Sequence, residues 1–312
     1  MNKQQSNKFD NIQQMITRTI KFLRVFTSTI HRLNTFLNAA DSIVNLSLTR
    51  AAATAATRII NPSDPISWGF CGFSQSNEDG IIDYLTRNLI KPDYYFIEIG
   101  AGNGISNNTA WLAIARKYSG IMIDGSSSIL HGKKLISPYL SGNVEFVQLF
   151  IDSENINGIK EMALVHNPDV FSLDIDGNDF YIAEKLFKIG IRPKIFVVEY
   201  NAVYGPHKNI TIKYDPGFQL SHDHKNPNAH FYHGVSISAW RKFFLKHGYK
   251  FVTVEENGVN AFFIDPAEFK NAFTEAITPL DFRDNYYQVA NFKMGWEDRF
   301  KYIADKPFHH VD

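Results

Sequence analysis

One stretch of the chain constrains the fold most: an apolar run that carries one acid and then passes into three glycines at alternate positions. It reads Tyr-Tyr-Phe-Ile-Glu-Ile-Gly-Ala-Gly-Asn-Gly over residues 94–104. Five of the first six residues favour strands, and the glycines would interrupt any helix. Asn107, Asn108 and Thr109 offer N-cap oxygens to an apolar helix that begins at Ala110. The stretch therefore predicts a buried strand, a glycine turn and a helix N-terminus, where a ligand can lie against bare backbone amides.

Strand and helix patterns alternate after this turn. Further strands are predicted at 120–125, 144–151, 169–176 and 194–200, with a helix at 181–189 between the last two. The domain then ends differently, with a helix at 240–247 and strands at 249–254 and 259–264 on either side of Asn257-Gly258, a strong hairpin signal. These patterns predict an α/β domain with a doubly wound, mostly parallel seven-stranded sheet that ends in an antiparallel hairpin.

The spacing of the glycines indicates which ligand the turn holds. A dinucleotide fingerprint needs a third glycine where this chain has Ile105. The pattern E-x-G-x-G-x-G instead resembles that of S-adenosylmethionine-binding methyltransferases. Asp124 ends the second strand, where a carboxylate can accept hydrogen bonds from both ribose hydroxyls, and Asp152 follows the third strand as a candidate partner for the adenine amino group. The predicted cofactor-binding residues are Glu98, Gly100, Gly102, Gly104, Asn107, Asn108, Asp124, Gly125, Ser126, Asp152 and Asp174.

Several motifs in order carry a resemblance to a known family. They are Ser74-Gln75 with Glu78-Asp79-Gly80, the glycine turn with Asn107-Asn108-Thr109, Ile123-Asp124-Gly125, the run of residues 174–179, Glu199-Tyr200-Asn201 with Gly205-Pro206, and the run of residues 258–263. Over residues 70–266 the chain resembles the FkbM-type S-adenosylmethionine-dependent methyltransferases. The resemblance implies a class I methyltransferase (Rossmann-like) fold and O-methylation, often of sugars in cell-surface polysaccharide or natural-product pathways.

Acids at the ends of the fourth and fifth strands are the candidate catalytic residues. Parallel pairing would bring Asp176 and Glu199 side by side, where uncompensated carboxylates repel each other. Three interpretations stay open: a Mg²⁺ ion held by Asp176, Glu199 and Asn201 that activates a sugar hydroxyl, a general base without metal, or acids that only cap loops. Sugar O-methyltransferases of similar pattern have two acids where this chain has Glu199-Tyr200.

Histidines crowd residues 221–234, at positions 222, 224, 230 and 233. An imidazole that titrates near neutral pH suits a base for a hydroxyl, and His233 is the preferred candidate because it lies next to the start of the late helix. Two alternative interpretations are that the clustered imidazoles bind a transition metal and that the segment is an exposed polar loop. Glu78 and Asp79 likewise either favour a helix N-terminus or take part in the ligand site.

Charge is distributed unevenly along the chain. The formal net charge is zero, which argues against a general nucleic-acid binder, but residues 1–60 carry eight Lys/Arg and two Asp/Glu. Apolar residues there recur in a heptad-like stripe (Ile12, Ile16, Leu23, Phe26, Ile30, Leu33, Leu37) that is too short in unbroken apolar length to span a bilayer. The helix could pack on its own chain, self-associate as a homo-oligomer, or lie peripherally on an anionic membrane surface.

The predicted organisation is therefore a basic amphipathic helical extension at 1–60, a methyltransferase domain at 61–270 and an aromatic-rich tail at 271–312 that packs on the domain. One cysteine, Cys71, and the lack of a leader predict a cytoplasmic protein. The predicted function is O-methyl transfer from S-adenosylmethionine to a hydroxyl of a sugar, a nucleotide sugar or another small acceptor. Two alternatives are a metal-dependent glycosyltransferase that uses Asp174-x-Asp176, and a catalytically silent methyltransferase-like adaptor.

Overall fold

The computed structural model describes residues 3–221 and 226–312, apart from the side chains of residues 3–14, 16, 31–39, 227 and 228. Its residues form two compact units, the first ending at Leu46 and the second covering Ser47–Asp312. The helices are α1 Lys3–Thr57, α2 Glu78–Arg87, α3 Ala110–Ala115, α4 Ser128–Ile136, α5 Gly158–Met162, α6 Asp179–Lys188, α7 Pro227–His230, α8 Ile237–Lys246, α9 Asn271–Ala276, α10 Tyr286–Phe292 and α11 Trp296–Lys301. The strands are β1 Tyr95–Ile99, β2 Ser119–Asp124, β3 Val144–Gln148, β4 Val170–Leu173, β5 Ile195–Glu199, β6 Ile210–Ile212, β7 Lys250–Val254, β8 Asn260–Ile264 and β9 Phe308–His310.

Seven strands form one sheet in the order β3-β2-β1-β4-β5-β8-β7. The first five strands in this order pair in parallel, whereas β8 pairs antiparallel to both β5 and β7. This arrangement confirms the predicted α/β fold, a doubly wound sheet of class I methyltransferase (Rossmann-like) topology that ends in an antiparallel hairpin. Because the strand order reverses beside β1, the carboxyl ends of β1, β2 and β4 open a crevice at one edge of the sheet.

The sheet is buried on both faces, as expected of parallel strands covered by helices. Every residue of β1 and β4 is buried. One contiguous core joins the sheet to α6 and α8 and contains a stack of aromatic rings, including Phe196, Phe244 and Phe263. The rings of Phe244 and Phe263 stack with centroids 4.1 Å apart. This packing anchors α8 on the sheet near the amino end of β5.

Two predicted strands are shorter than expected at their carboxyl ends. β3 stops at Gln148 rather than at residue 151, and β4 stops at Leu173 rather than at residue 176. In each case the chain leaves the sheet to enter the crevice, so Ile151 and Asp176 line a cavity. The apolar pattern continues beyond the strand ends because Leu149, Ile151 and Ile175 line the cavity instead of lying in the sheet.

The last forty residues form structure that the sequence patterns did not reveal. β9 pairs antiparallel with β6 in a small second sheet, and α9, α10 and α11 lie between the hairpin and β9. Arg299 of α11 is fully buried and donates a hydrogen bond to Asp284 and another, 2.8 Å long, to the carbonyl of Met294. Asp284 also accepts the backbone amide of Trp296 at 3.0 Å. A buried charge with these partners fixes the turn that precedes α10.

Three side chains of the apolar stripe predicted on α1 are exposed. Leu23, Phe26 and Ile30 of the predicted stripe are 52%, 52% and 43% exposed. The stripe side chains of Ile12, Ile16, Leu33 and Leu37 lie outside the described residues. No described helix combines the length and the apolar character that crossing a membrane requires.

Candidate active site

The acid in β1 holds the glycine turn in place. Glu98 is only 2% exposed, and its carboxylate accepts hydrogen bonds from the backbone amides of Asn108 at 3.0 Å and Thr109 at 3.1 Å and from the Thr109 hydroxyl. Burial raises the pKa of Glu98 to about 7, and these hydrogen bonds oppose the rise. Glu98 therefore ties the end of the turn to the strand, and any part it takes in cofactor binding is indirect.

The two asparagines after the turn have the same kind of role. Asn107 caps α3, since its side-chain oxygen accepts the amide of Ala110 at 2.8 Å, and its nitrogen donates to the carbonyl of Ala101 at 3.2 Å. The side-chain nitrogen of Asn108 donates to the Ser172 hydroxyl at 3.0 Å. Both residues are 8% exposed. They shape the loop that surrounds the cofactor position predicted from the sequence.

Glycine is needed in the turn for two different reasons. Gly100, Gly102 and Gly104 have φ of 84°, 57° and 71°, in the left-handed region that glycine tolerates. A Cβ on Gly100 would lie 1.5 Å from the carbonyl oxygen of Asp174, because the backbones that follow β1 and β4 touch there. A Cβ on Gly102 would meet nothing within 4 Å. Gly100 thus allows close packing, whereas Gly102 leaves open space at the surface of the turn.

Asp124, at the end of β2, borders the crevice and is hydrogen-bonded to the glycine turn. One carboxylate oxygen accepts the amide of Gly102 at 2.7 Å, and the other accepts the amide of Ser126 at 2.7 Å. Asp124 lines a cavity of about 450 Å³, within the range of small-molecule sites. The cavity is lined by Ile99, Gly100, Asp124, Gly125, Ser126, Leu149, Phe150, Ile151, Ile175, Asp176, Phe218, Gln219 and Leu220. We call it the cofactor cavity.

Asp152, the predicted partner of the adenine amino group, is not among the residues that line this cavity. Its side chain accepts the backbone amides of Glu154 at 2.8 Å and Asn155 at 3.0 Å, and so caps the turn after β3. Ile151 and Phe150 line the cofactor cavity in its place. A ring and a branched aliphatic side chain suit the flat face of an aromatic base.

The loop after β4 holds its acids in a fixed arrangement. Asp179, the first residue of α6, accepts the amides of Ile175 and Gly177, each at 2.8 Å. Between these two amides, Asp176 adopts a left-handed backbone with φ of 58°, which is uncommon for a residue with a side chain. Burial raises the pKa of Asp179 to about 6. Asp179 thus imposes the turn that presents Asp176 at the crevice.

The three predicted catalytic residues meet at the carboxyl ends of β4 and β5. One side-chain atom from each of Asp176, Glu199 and His233 lies within 4.8 Å of the other two. His233 Nδ1 is 3.9 Å from a Glu199 carboxylate oxygen, and His233 is 5% exposed. The prediction that strand pairing places Asp176 beside Glu199 agrees with this geometry, and His233 joins them from the loop before α8.

A further acid shares this position. Asp174 and Glu199 lie close enough for their carboxyl groups to interact electrostatically. Burial, together with repulsion from the neighbouring acids, raises the pKa of both groups well above the usual range. Asp174 is not among the residues that line the cofactor cavity. Its direct contact with a cofactor and its part in an Asp-x-Asp metal motif stay predictions.

Asn201 supports the histidine rather than joining the cluster of acids. Its side-chain nitrogen donates to the carbonyls of Phe231 at 2.8 Å and His233 at 2.9 Å, and its oxygen accepts the amide of Val203 at 3.0 Å. The Tyr204 hydroxyl donates to the same His233 carbonyl at 2.7 Å. The predicted metal ligand Asn201 is thus a positioning residue that holds the His233 loop against β5. Of the other clustered histidines, His230 lies nearby, and His222 and His224 fall outside the described residues.

A second cavity, of about 520 Å³, adjoins the first and shares Asp176 and Leu220 with it. We call it the acceptor cavity. It is lined by Gln75, Asp176, Glu199, Leu220, His230, His233, Val259, Asn285, Tyr287, Gln288 and Asn291. The four lining residues from 285 to 291 could not be predicted as site residues, because the short α10 carries no periodic pattern or motif.

The acids before β1 build the loop on the other side of the acceptor cavity. Asp79 accepts the amides of Gly72 and Phe73 at 2.7 Å and Ser74 at 3.0 Å, and its burial raises its pKa to about 7. Glu78 accepts the amide of Ser76 at 2.8 Å. Both acids are fully buried, so they support the loop that carries Gln75 instead of facing a ligand.

No family model and no curated protein sequence matches the chain, but several solved structures are similar to it. An O-methyltransferase from Bacillus cereus in complex with SAH is similar at 14% identity and a TM-score of 0.37, over 72% of this chain and 89% of that chain. The O-methyltransferase TomG from Streptomyces achromogenes in complex with SAM is 16% identical with a TM-score of 0.39, over 62% of this chain and 80% of that chain. The CurJ carbon methyltransferase is 14% identical with a TM-score of 0.39, over 62% of this chain and 55% of that chain. Similarity at this level carries no inference about function, which rests on the site itself.

Proposed function

We propose that this chain is an S-adenosylmethionine-dependent O-methyltransferase. One observation carries the proposal: two cavities meet at Asp176, one lined by Gly100 of the glycine turn and by Asp124, the other containing Glu199 and His233. A methyl transfer needs a donor and an acceptor on either side of one point, with a group that takes a proton beside the acceptor. This arrangement provides both.

The cofactor cavity suits the donor. Asp124 offers carboxylate oxygens to ribose hydroxyls beside Gly125 and Ser126, and Phe150 with Ile151 offers an apolar surface to adenine. S-adenosylmethionine supplies an activated methyl group when it is bound. A positively charged sulfonium is favoured near Asp176, because opposite charges attract more strongly in a partly buried cleft than in water.

The acceptor cavity supplies the proton acceptor. As an acceptor hydroxyl oxygen forms its bond to the methyl carbon, the carbon–sulfur bond breaks, its electron pair stays on sulfur, and the hydroxyl proton must leave. His233 is placed to take that proton, and Glu199 at 3.9 Å stabilises the resulting imidazolium. Asn201 and Tyr204 hold the loop so that the ring keeps this position.

In a second form of the proposal, a divalent cation at this cluster activates the acceptor hydroxyl. The donors of Asp176, Glu199 and His233 are close enough to converge on one ion. Two carboxylates with one imidazole fit a cation such as Mn²⁺, which accepts nitrogen as well as oxygen ligands, better than Mg²⁺, which prefers oxygen alone. Bound there, a cation would supply Lewis acidity to an acceptor hydroxyl. His233 would then be a ligand rather than the base.

The resemblance of the motifs to FkbM-type methyltransferases supports a sugar as the acceptor. The quoted motifs fall at the crevice: the glycine turn, Asp124, Asp176 and Glu199 line or support the two cavities.

For α1 we propose self-association or contact with an anionic membrane surface, as the sequence predicts. Light scattering of the full chain and its binding to anionic vesicles separate self-association from membrane contact.

Isothermal titration with S-adenosylmethionine tests the proposal first. We expect binding, and protein that is folded by circular dichroism yet does not bind would refute the methyltransferase function. Release of S-adenosylhomocysteine with a panel of sugars and nucleotide sugars tests turnover. We expect Asp176→Asn to lower turnover at least tenfold, whereas the exposed acid change Asp305→Asn serves as the matched control and leaves it unchanged.

A chelator separates the two versions of proton transfer. If His233 acts as a base, EDTA leaves the rate unchanged and His233→Asn abolishes turnover at every metal concentration. If the cluster holds a cation, EDTA stops turnover and added Mn²⁺ restores it.

A further inference from the structure

The wall of the acceptor cavity opposite the acids is built from the C-terminal part of the chain. Asn285, Tyr287, Gln288 and Asn291 come from α10 and the residue before it, and Gln75 comes from the loop before α2. Four of these five side chains are amides, each with two donors and an acceptor oxygen, and the fifth is a phenol. The wall is polar and uncharged, and all of it except Gln75 lies outside the segment that carries the family resemblance.

Hydrogen bonds from three directions fix this wall. The Tyr287 hydroxyl lies 3.1 Å from the Ser76 hydroxyl, which also accepts the side-chain nitrogen of Asn257 at 2.7 Å. The backbone amide of Tyr286 donates to the carbonyl of Asn257 at 2.8 Å. Asn285 caps α10 by accepting the amide of Gln288 at 3.0 Å. A wall held in this way binds a ligand with little ordering of its own side chains.

Gln288 has an unused hydrogen-bonding group. Its side-chain oxygen is buried and accepts no hydrogen bond from any group that the structure describes. An acceptor left in this condition destabilises a protein by about 1–3 kcal/mol, so such groups are usually satisfied by a ligand or water. Gln288 lines the acceptor cavity, and rotation of its side-chain amide would bring this oxygen to a ligand hydroxyl that supplies the missing donor.

The charge of the cavity indicates which ligands carry that hydroxyl. Asp176 and Glu199 occupy one side, and the described lining residues include His230 and His233 but no Lys or Arg. Phosphate groups beside these acids would be repelled, and two unit charges 4 Å apart at an effective dielectric constant of about 20 repel by about 4 kcal/mol. A neutral ligand rich in hydroxyl groups pairs with amides without this repulsion.

We propose that the wall formed by α10 is the acceptor-recognition element, with Gln288 as its main contact, and that it selects an uncharged carbohydrate over a phosphate-bearing one. The inference rests on the proposed methyl transfer for the position of the acceptor. Neighbouring ring hydroxyls each donate and accept one hydrogen bond, which matches the donor and acceptor of a side-chain amide. The described residues of this wall offer no cationic group that would bind the phosphates of a nucleotide sugar.

Ligand-observed saturation-transfer NMR on the full chain, saturated with S-adenosylhomocysteine, tests the inference without turnover. The probes are methyl glycosides of common hexoses and 6-deoxyhexoses, set against the corresponding nucleotide sugars. We expect wild-type protein to bind at least one neutral glycoside. Gln288→Leu should weaken that binding about tenfold, the effect of one lost hydrogen bond with its partner left unpaired. Asn291→Leu tests the same wall independently and should act in the same direction.

Tyr286→Phe is the matched control, because Tyr286 lies on the same helix, is 61% exposed and does not line the cavity. It should change affinity less than twofold. In turnover assays, Gln288→Leu should raise the acceptor KM about tenfold with little change in kcat, as expected when ground state and transition state lose the same contact.

Several results would overturn the inference. They are binding of nucleotide sugars alone, binding of none of the neutral glycosides, or equal affinity of wild type and both leucine variants. Calorimetry with S-adenosylmethionine is run on every variant: unchanged affinity shows that the fold is intact. Failure of the wild type to bind S-adenosylmethionine would refute the proposed function, whereas a neutral glycoside bound through Gln288 would still show that the wall recognises carbohydrate.

Discussion

Glu199→Gln should make this protein more stable at alkaline pH while abolishing its activity. Oxygens of Asp176 and Glu199 lie within 4.8 Å, and at an effective dielectric constant of about 20 two such charges repel by about 3.5 kcal/mol. Burial, together with repulsion from Asp174 and Asp176, raises the pKa of Glu199 well above its usual range, so protonation relieves part of this repulsion. An amide of the same shape removes the charge altogether.

The sign of the pH dependence follows from the raised pKa. A carboxyl group whose pKa is higher in the folded than in the unfolded state contributes stability that is fully present below the unfolded pKa and is lost as pH rises through the folded pKa. The wild type should therefore lose this stability as the pH rises from about 4, the usual carboxyl range, toward the raised pKa of Glu199, and Glu199→Gln should not. We expect the variant to match the wild type near about pH 4 and to gain about 1–3 kcal/mol near pH 8, less than the full repulsion because protonation already relieves part of it.

Urea denaturation followed by tryptophan fluorescence, with EDTA present, measures the difference. Glu275→Gln, which removes an exposed acid from α9, is the matched control and should stay within about 0.5 kcal/mol of the wild type at both pH values. A Glu199→Gln variant that is less stable than the wild type near pH 8, or that gains equally at both pH values, would refute the reasoning.

Two further predictions concern packing. Gly100→Ala would place a Cβ 1.5 Å from the carbonyl oxygen of Asp174 and should prevent folding, whereas Gly102→Ala meets nothing within 4 Å and should lose only about 1–2 kcal/mol for its left-handed backbone; similar thermal melting of the two variants would contradict this. Arg299→Met leaves Asp284 without its buried cation and should cost about 3 kcal/mol in urea denaturation. Adding Asp284→Asn should recover part of that loss, and a double variant that is worse than the sum of the singles would count against the pairing.

Much of the fold was predictable because it depends on local patterns. The five parallel strands were located from apolar runs, and the hairpin from Asn257-Gly258. Asp176 and Glu199 could be placed together because consecutive parallel strands end at the same edge of the sheet. His233 was identified only as the preferred member of a crowded group, and its contact with Glu199 needed the structure.

Other parts of the site were not predictable from residue patterns. Asp152 and Ile151 are neighbours, and the path of the chain after β3 decides that the isoleucine rather than the acid lines the cofactor cavity. Asn201 resembles a metal ligand in sequence, but its hydrogen bonds go to a loop about thirty residues away. The wall containing Gln288 forms from a helix of seven residues without a motif.

The sequence by itself determined the elements whose causes are short-range. Strand propensity, the glycine turn that needs a left-handed backbone, and the hairpin dipeptide depend on a residue and its close neighbours, so they can be read along the chain. Only the tertiary structure decided which acids lie close together, which side chains hold loops and which face a cavity. Those outcomes depend on burial and on contacts between residues far apart in sequence, where desolvation and packing, rather than local preference, select the arrangement.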